Sequence, residues 1–246
     1  MSRSAMNYKK IITLVLSAAL FIVTAVTSNA KEYKALDKKE QSVVLISAYT
    51  ANGDIAKLKP ALVKGLESGL TVNEIKEIVA HLYAYVGFPC ALNAQTAFMV
   101  LMDERVKQGI KDVEGRTASP VPTDINRDEY GAKIRAMLSG LDEVPPEAKW
   151  QKFNPVMDQF LKEHLFADIF IRDVLDHKTR ELVTISALAS LSGTAGQLKY
   201  HIGAAMNVGN TEAELTEFVT LIAEKVGTEE GDTAAEVLKN VLADRK

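Results

Sequence analysis

Apolar residues recur at helical spacing along most of the chain after residue 30. The spacing predicts helices over Val43–Tyr49, Leu58–Leu66, Ile75–Val86, Leu182–Leu191, Leu198–Met206 and Leu215–Val226. No stretch alternates between apolar and polar residues in the way that a half-buried strand would. The sequence therefore predicts an all-α protein.

The same helical pattern is used twice. The segment LDKKEQSVVLISA (Leu36–Ala48) resembles LDHKTRELVTISA (Leu175–Ala187), and with a shift of one residue the similarity continues through the next two helices. The matched turn residues are Gly69 with Gly209, Thr71 with Thr211, and Glu74 with Glu214. A glycine suits the left-handed turn that ends a helix, and a threonine followed three residues later by glutamate forms a capping box. We interpret these matches as architecture.

The two copies define the domain boundaries. We predict repeat 1 over residues 36–105 and repeat 2 over residues 156–243, joined by a proline-containing connector, residues 106–155. A short helix is expected within the connector, at Glu129–Leu138.

The N-terminus has the composition of a secretory signal. Arg3, Lys9 and Lys10 precede the apolar stretch Ile11–Val26, and small residues follow up to Ala30. The apolar stretch is shorter than the about 20 residues that span a bilayer, which favours a cleaved signal over a membrane anchor. We predict a signal peptide over residues 1–30 and a periplasmic or secreted protein with no stable membrane association.

Charge and metal-ligand spacing exclude other classes of function. The formal net charge is −3 and no long basic run is present, so the sequence gives no support for nucleic-acid binding. No repeated spacing of histidine and acidic residues indicates a metal site. The single cysteine, Cys90, leaves no internal disulfide possible and is interpreted as a small buried apolar residue.

Differences between the copies indicate where function lies. Repeat 2 has Glu181 and His201 where repeat 1 has Ser42 and Ala61, and both polar residues fall on the inward stripes of their helices. A carboxylate and an imidazole between packed helices make a candidate acid–base pair. A purely structural hydrogen bond between them is the alternative.

Repeat 1 has polar residues that repeat 2 lacks. The stretch HLYAYVGFPCALNA contains His81, Tyr85 and Asn93 at the end of a helix and the glycine–proline turn after it. Each repeat thus keeps a different half of the polar residues. We expect one composite site where the repeats face each other.

These segments resemble a known family. RELVTISALASL and QLKYHIGAAMNVGNTEAELTEF within Arg180–Phe218, and GLTVNEIKEIVAHLYAYVGFPCALNA at Gly69–Ala94, are similar to the carboxymuconolactone decarboxylase family. The resemblance implies two tandem helical repeats of the alkylhydroperoxidase D-like fold. It also implies a homo-oligomer, for which a fused pair of repeats suits a dimer or a trimer.

The resemblance implies two chemistries. The decarboxylase branch needs no cofactor and uses the histidine that matches His201 as its proposed acid–base group. The alkylhydroperoxidase D branch reduces peroxides or disulfides with a Cys-x-x-Cys pair just before that histidine. Thr194 and Gln197 occupy those two places here, and neither can form a thiolate. A peroxide or disulfide reductase is therefore disfavoured.

The leading hypothesis is a cofactor-free lyase or isomerase that acts on a small carboxylated or lactone substrate. In this hypothesis His201 transfers the proton, and Glu181 orients or tunes the His201 imidazole. His81 is a third catalytic residue, and Tyr85 and Asn93 contact the substrate.

Arg180 is a further substrate-binding candidate, through a carboxylate, although a surface or interface salt bridge is the usual role for an arginine that opens a helix. The alternative from another class of function is a non-catalytic, helical, oligomeric binding module.

Overall fold

The computed structural model describes residues 33–245. The predicted signal peptide, residues 1–30, lies outside the described residues. Within residues 33–245 the chain forms ten α-helices and one π-helix and contains no strand, which confirms the all-α prediction.

In chain order the elements are α1 (Lys38–Asn52), α2 (Ile55–Glu67), α3 (Val72–Lys107), α4 (Arg127–Leu138), α5 (Lys149–Phe153), α6 (Pro155–Gln159), the π-helix (Phe160–Ile169), α7 (His177–Ala189), α8 (Ala195–Asn207), α9 (Glu212–Lys225) and α10 (Thr228–Asp244). All six helices predicted from apolar spacing are present, as α1, α2, α3, α7, α8 and α9. Helix α4 coincides with the short helix expected in the connector.

The matched turns have the same structure in both repeats. The Thr71 side chain accepts a hydrogen bond from the Glu74 amide, and the Glu74 carboxylate accepts one from the Thr71 amide. Thr211 and Glu214 form the same box at the start of α9. The glycine two residues before each threonine has a positive φ, which a side chain would strain. Local sequence therefore fixes both helix starts.

Helix α3 bends where the sequence predicts a turn. Gly87 has φ 74° and ψ 164°, and the helix resumes immediately after it with Pro89 in its new first turn. By length and composition α3 is the one described helix that could cross a membrane, although core helices pass the same test. Its first half supplies Ile75, Ile78 and Leu82 to the core, each fully buried. Beyond the bend, the second half contributes Phe98 and Leu101 to the same core.

The two repeats share one core. Helices α1 and α7, the first helix of each repeat, pack directly against each other. Val44 and Ile46 of α1 and Val183 and Ile185 of α7 are fully buried in the same apolar cluster. Burying each such side chain contributes roughly 1.5–3 kcal/mol, so this seam holds the repeats together.

The connector folds back onto repeat 2. Helix α4 lies against the π-helix at such short range that a Cβ atom on Gly131 would stand 1.9 Å from the Lys162 carbonyl oxygen. A second apolar cluster joins α4, the π-helix and α8 through Leu138, Phe166 and Ala204. The connector therefore forms a wall over α8.

Candidate functional site

Glu181 of α7 and His201 of α8 form a hydrogen-bonded pair. The His201 Nδ1–H group donates to Glu181 Oε2 at 2.8 Å. Glu181 is fully buried, and its other oxygen, Oε1, has no hydrogen-bond partner among the described residues. With the Nδ1 proton committed to the carboxylate, Nε2 is the free nitrogen, and no described residue hydrogen-bonds to it. The pair is oriented for proton transfer at Nε2.

His201 lies on the wall of a cavity of about 910 Å³. Repeat 1 contributes Ala84 and Tyr85, and α8 contributes one face. The connector and the π-helix contribute most of the rest, together with Met157 of α6 and Leu188 of α7. The polar groups in the wall are Tyr85, Arg135, Ser139, Gln151, Thr194, Gln197, Tyr200 and His201. The remaining wall is apolar, which is typical of a small-molecule site.

Two tyrosines hold the His201 ring edge-on. The Tyr200 and Tyr85 ring centroids lie 5.0 and 5.6 Å from that of His201. Burial raises the pKa of Tyr85, and the Glu181 charge raises it further against a smaller opposing effect of Thr184. Burial also raises the pKa of Tyr200, with a hydrogen bond to Ser139 opposing it. Both phenols therefore stay protonated, and the Tyr85 hydroxyl oxygen is buried.

His81 is sealed inside the protein, contrary to the expectation that it works on the substrate. Its side chain is fully buried and does not line the cavity. Arg180 Nη1 donates to His81 Nδ1 at 3.1 Å, so the ring proton must sit on Nε2, which donates to Thr184 Oγ1 at 2.8 Å. Burial lowers the pKa of His81 well below its ordinary value, and the Arg180 charge lowers it further. A neutral histidine with both nitrogens engaged supports structure rather than proton transfer.

Arg180 is also buried, where the sequence favours a surface or interface salt bridge. Its Nη2 donates to Glu77 Oε1 at 2.7 Å and to the Arg172 carbonyl oxygen at 2.6 Å. Glu77, which is on α3, also accepts three hydrogen bonds from Arg172. Burial would raise the pKa of Glu77, but the two arginines hold it below its ordinary value. Arg180 thus joins the repeats and does not reach the cavity.

The contact that Glu77 makes with the other repeat has a counterpart in repeat 2. Glu217, its match in repeat 2, accepts hydrogen bonds from the backbone amides of residues 34, 35 and 36. Each glutamate therefore holds the segment that leads into the first helix of the other repeat. The alignment of Glu77 with Glu217 in the two repeats is the sequence feature that indicates this shared role.

Asn93 and Cys90 do not occupy their expected places. Both lie beyond the bend at Gly87, where Asn93 is exposed and does not line the cavity. Cys90 is half-buried rather than fully buried. Because α3 continues after Gly87 instead of ending, these residues are carried away from His201.

Arg135 of α4 is a cavity residue that sequence reasoning missed. Its Nη1 donates to Asp158 Oδ1 at 2.7 Å, and its guanidinium lies 5.7 Å from the centre of the Trp150 ring. Among the described residues that line the cavity it is the one with a permanent charge. Arg135 lies in the short helix that the sequence predicted in the connector, but no sequence pattern indicated that this helix would face the cavity.

Thr194 and Gln197 face the same cavity as His201. The Thr194 hydroxyl donates to the Leu188 carbonyl oxygen at 2.7 Å. The positions that carry a dithiol in the reductase branch are thus directed at the site, but with side chains that cannot form a disulfide.

Comparisons with known proteins agree with the two-repeat fold. The model of the carboxymuconolactone decarboxylase family matches residues 22–98 and 155–240, one segment in each repeat region. The 4-carboxymuconolactone decarboxylase of Acinetobacter baylyi is 27% identical over 122 residues, which is 49% of this chain and 90% of that protein. This chain belongs to the carboxymuconolactone decarboxylase family and carries its unit twice.

Proposed function

We propose that this protein is a cofactor-free lyase or isomerase-type enzyme for a small carboxylated lactone, with decarboxylation as the reaction and His201 as the proton carrier. One observation carries the proposal. His201 has Nδ1 fixed by the buried Glu181 and Nε2 without a partner among residues 33–245, on the wall of a cavity of about 910 Å³. The name of the Acinetobacter relative, 4-carboxymuconolactone decarboxylase, supports this substrate class.

Arg135 is the group that would bind a substrate carboxylate. It is the one permanent charge that the described residues bring to a largely apolar wall, so it favours an anionic ligand. Asp158 engages Nη1, and the guanidinium has further donors that can meet a carboxylate side by side. We assign to Arg135 a carboxylate that the product retains, because an ion pair to the leaving group would oppose its departure as neutral CO2.

The decarboxylation and the proton transfer then follow in order. The bond between the substrate carbon and the departing carboxylate breaks, CO2 leaves, and the electron pair is delocalised through the ring double bond into the lactone carbonyl, which gives a dienolate. The His201 imidazolium donates its Nε2 proton to the dienolate carbon next to the lactone carbonyl as the ring double bond shifts, while Glu181 stabilises the charged ring before the transfer. Water at the open side of the cavity returns a proton to Nε2. One proton is consumed for each CO2 released.

The first experiment measures CO2 release from 4-carboxymuconolactone and other carboxylated lactones. We expect His201→Gln to lower the rate by about 100-fold or more, since general acid–base catalysis contributes about that much. In heavy water the product should carry one deuterium at the carbon next to the lactone carbonyl, where the dienolate accepts the proton. The matched control is His164→Gln, which changes a half-exposed histidine on the π-helix. Wild-type rates in His201→Gln would overturn the proton-carrier role, and no turnover of any carboxylated lactone would favour a non-catalytic binding module.

The second experiment tests the carboxylate anchor. We expect Arg135→Met to raise KM for a carboxylated lactone by about tenfold or more, with a smaller effect on kcat. The control is Arg127→Met, which removes an exposed arginine from the same helix, paired with Asp168. Equal effects of the two variants on KM would contradict the assignment.

A further inference from the structure

Repeat 1 contains a second hollow, of about 430 Å³, at the position that corresponds to the candidate site. Ser42 and Ala61 line it, and they match Glu181 and His201 in the repeat alignment. The smaller side chains leave open the space that the Glu181–His201 pair fills in repeat 2.

Helix α9 of repeat 2 lines this hollow in the same way that α3 of repeat 1 approaches the His201 site. Leu221 and Lys225 of α9 line the hollow, and their matches in α3 are His81 and Tyr85. The hollow is therefore the internal counterpart of the His201 site, with different chemistry. Its described lining includes no residue of the connector or the π-helix, so the wall that covers α8 has no equivalent here.

The hollow carries an excess of positive charge. Lys38, Lys64 and Lys225 line it, and Glu67 is the one acidic residue in the described lining. No described residue forms an ion pair with any of the three lysines. Several other lysines are paired with acids at 2.6–3.5 Å, namely Lys39, Lys57, Lys76, Lys133, Lys162, Lys178 and Lys199. Three exposed lysines against one glutamate give the lining of the hollow a net positive charge, which favours an anionic ligand.

Two serine hydroxyl groups on the inner wall could rotate to donate to such an anion, away from the backbone carbonyl oxygens of Lys38 and Gly65 to which they donate here. Ser42 Oγ and Ser68 Oγ lie 3.1 Å apart, and both residues line the hollow. A volume of about 430 Å³ falls within the usual range of small-molecule sites. We infer that this hollow is a second binding site, for a small organic anion with two or more negative charges, and that it binds independently of His201.

Carboxylates and phosphates share the chemistry that would recognise this site, so the test uses both. Succinate, inorganic phosphate and the neutral succinamide are titrated calorimetrically into the full chain. We expect at least one of the two anions to bind and succinamide not to bind. Binding of succinate alone identifies a dicarboxylate site, and binding of phosphate alone identifies a phosphate site. Absence of binding by both anions would overturn the inference.

Charge-reversal variants locate the binding. Lys64→Glu with Lys225→Glu should weaken anion binding by about tenfold or more, because two attractive charges become repulsive. Lys59→Glu with Lys239→Glu changes the net charge equally at exposed lysines outside the hollow and should have little effect. His201→Gln and Arg135→Met should leave binding unchanged, which separates this site from the catalytic proposal. Equal weakening by the two lysine pairs, or loss of binding in His201→Gln, would contradict the inference.

A measurement on the wild-type chain guards against misfolded variants. Amide chemical-shift mapping during the same titration should show the largest changes at Ser42, Ala61, Lys64 and Ser68. Changes centred on Thr194 and His201 would place the anion in the other cavity and overturn the inference.

Discussion

Buried polar residues at the junction of the repeats divide into a pair that faces the cavity and a network that does not. Glu181 and His201 form the first, and Glu77, His81 and Arg180 form the second. Burial and hydrogen bonding make the network costly to disturb and leave it no free donor or acceptor on His81. The two groups should respond differently to mutation and to pH.

His81 should make stability depend on pH. Its folded pKa lies below its ordinary value of 6.5, so the unfolded chain takes up a proton that the folded chain does not. The contribution of neutral His81 to the free energy of unfolding should therefore be complete above about pH 6.5. Below that pH the free energy of unfolding should fall by up to about 1.4 kcal/mol per pH unit for this proton. His81→Gln keeps an acceptor for Arg180 and a donor for Thr184. Because glutamine does not titrate, the pH dependence of the free energy of unfolding should decrease by the share that one proton contributes. Urea unfolding between about pH 5 and 7 measures it, and an unchanged slope would show that His81 is not the responsible group.

Glu181→Gln should separate activity from stability. The amide oxygen can still accept from His201 Nδ1, but the charge that stabilises the imidazolium is lost, so kcat should fall by about 100-fold. Because the substitution also removes a buried carboxylate with an unpaired oxygen, the free energy of unfolding should hold or rise. Loss of stability together with full activity would support the purely structural role of the pair.

The sequence predicted which polar residues face inward but not all their partners. The apolar stripes of α7 and α8 placed Glu181 and His201 on facing surfaces, and the structure joins them. The same reasoning could not show that Arg180 and His81 bond to each other, because that contact crosses between repeats. Nor could it find Arg135, whose direction depends on how the connector docks.

At the level of helices, local signals predicted starts and ends well and bends poorly. Capping boxes and left-handed glycines act within a few residues, so the matched helices follow from sequence. The bend at Gly87 and the π-helix depend on packing against other elements. Asn93 was placed in the site because the sequence suggests that α3 ends near Gly87.

The contact between α4 and the π-helix should be intolerant of added volume. Gly131→Ala would force a methyl group onto the Lys162 backbone carbonyl, so α4 must move, and we expect a loss of about 1–3 kcal/mol in the free energy of unfolding. The displacement would also shift Arg135 and raise KM. Gly203→Ala on α8 is the control, because nothing lies within 4 Å of its added Cβ, and it should be neutral or stabilising. Similar unfolding midpoints for the two variants would mean that the contact is not tight.

For the whole molecule, internal duplication explains both the shared scaffold and the unequal cavities. Repeat 1 and repeat 2 supply α1 and α7 to one core. Glu181 and His201 at the repeat 2 cavity correspond to the smaller Ser42 and Ala61 at the repeat 1 hollow. The sequence comparison revealed this asymmetry. It placed the site between the repeats, whereas most of the cavity wall comes from repeat 2, the π-helix and the connector, since a repeat alignment carries no information on how a non-repeated segment packs.

The predicted homo-oligomer has a candidate contact in the second half of α3. Phe88, Leu92 and Met99 are more than half exposed there, and burying them in a second copy of the chain would remove this apolar surface from water. We predict a dimer or trimer that Leu92→Glu dissociates, measured by sedimentation velocity. Leu141→Glu, at an exposed leucine in the connector, should leave the assembly intact. A monomeric wild-type protein would contradict the prediction.

The role of His201 as the proton carrier can be tested by nitrogen-15 NMR of its ring during titration with a saturated carboxylated lactone, which cannot stabilise the carbanion. We predict that the neutral ring carries its proton on Nδ1, that the Nε2 resonance shifts as the lactone binds, and that Arg135→Met weakens that binding. A His201 ring with its proton on Nε2, or one that saturating lactone leaves unperturbed, would contradict that role.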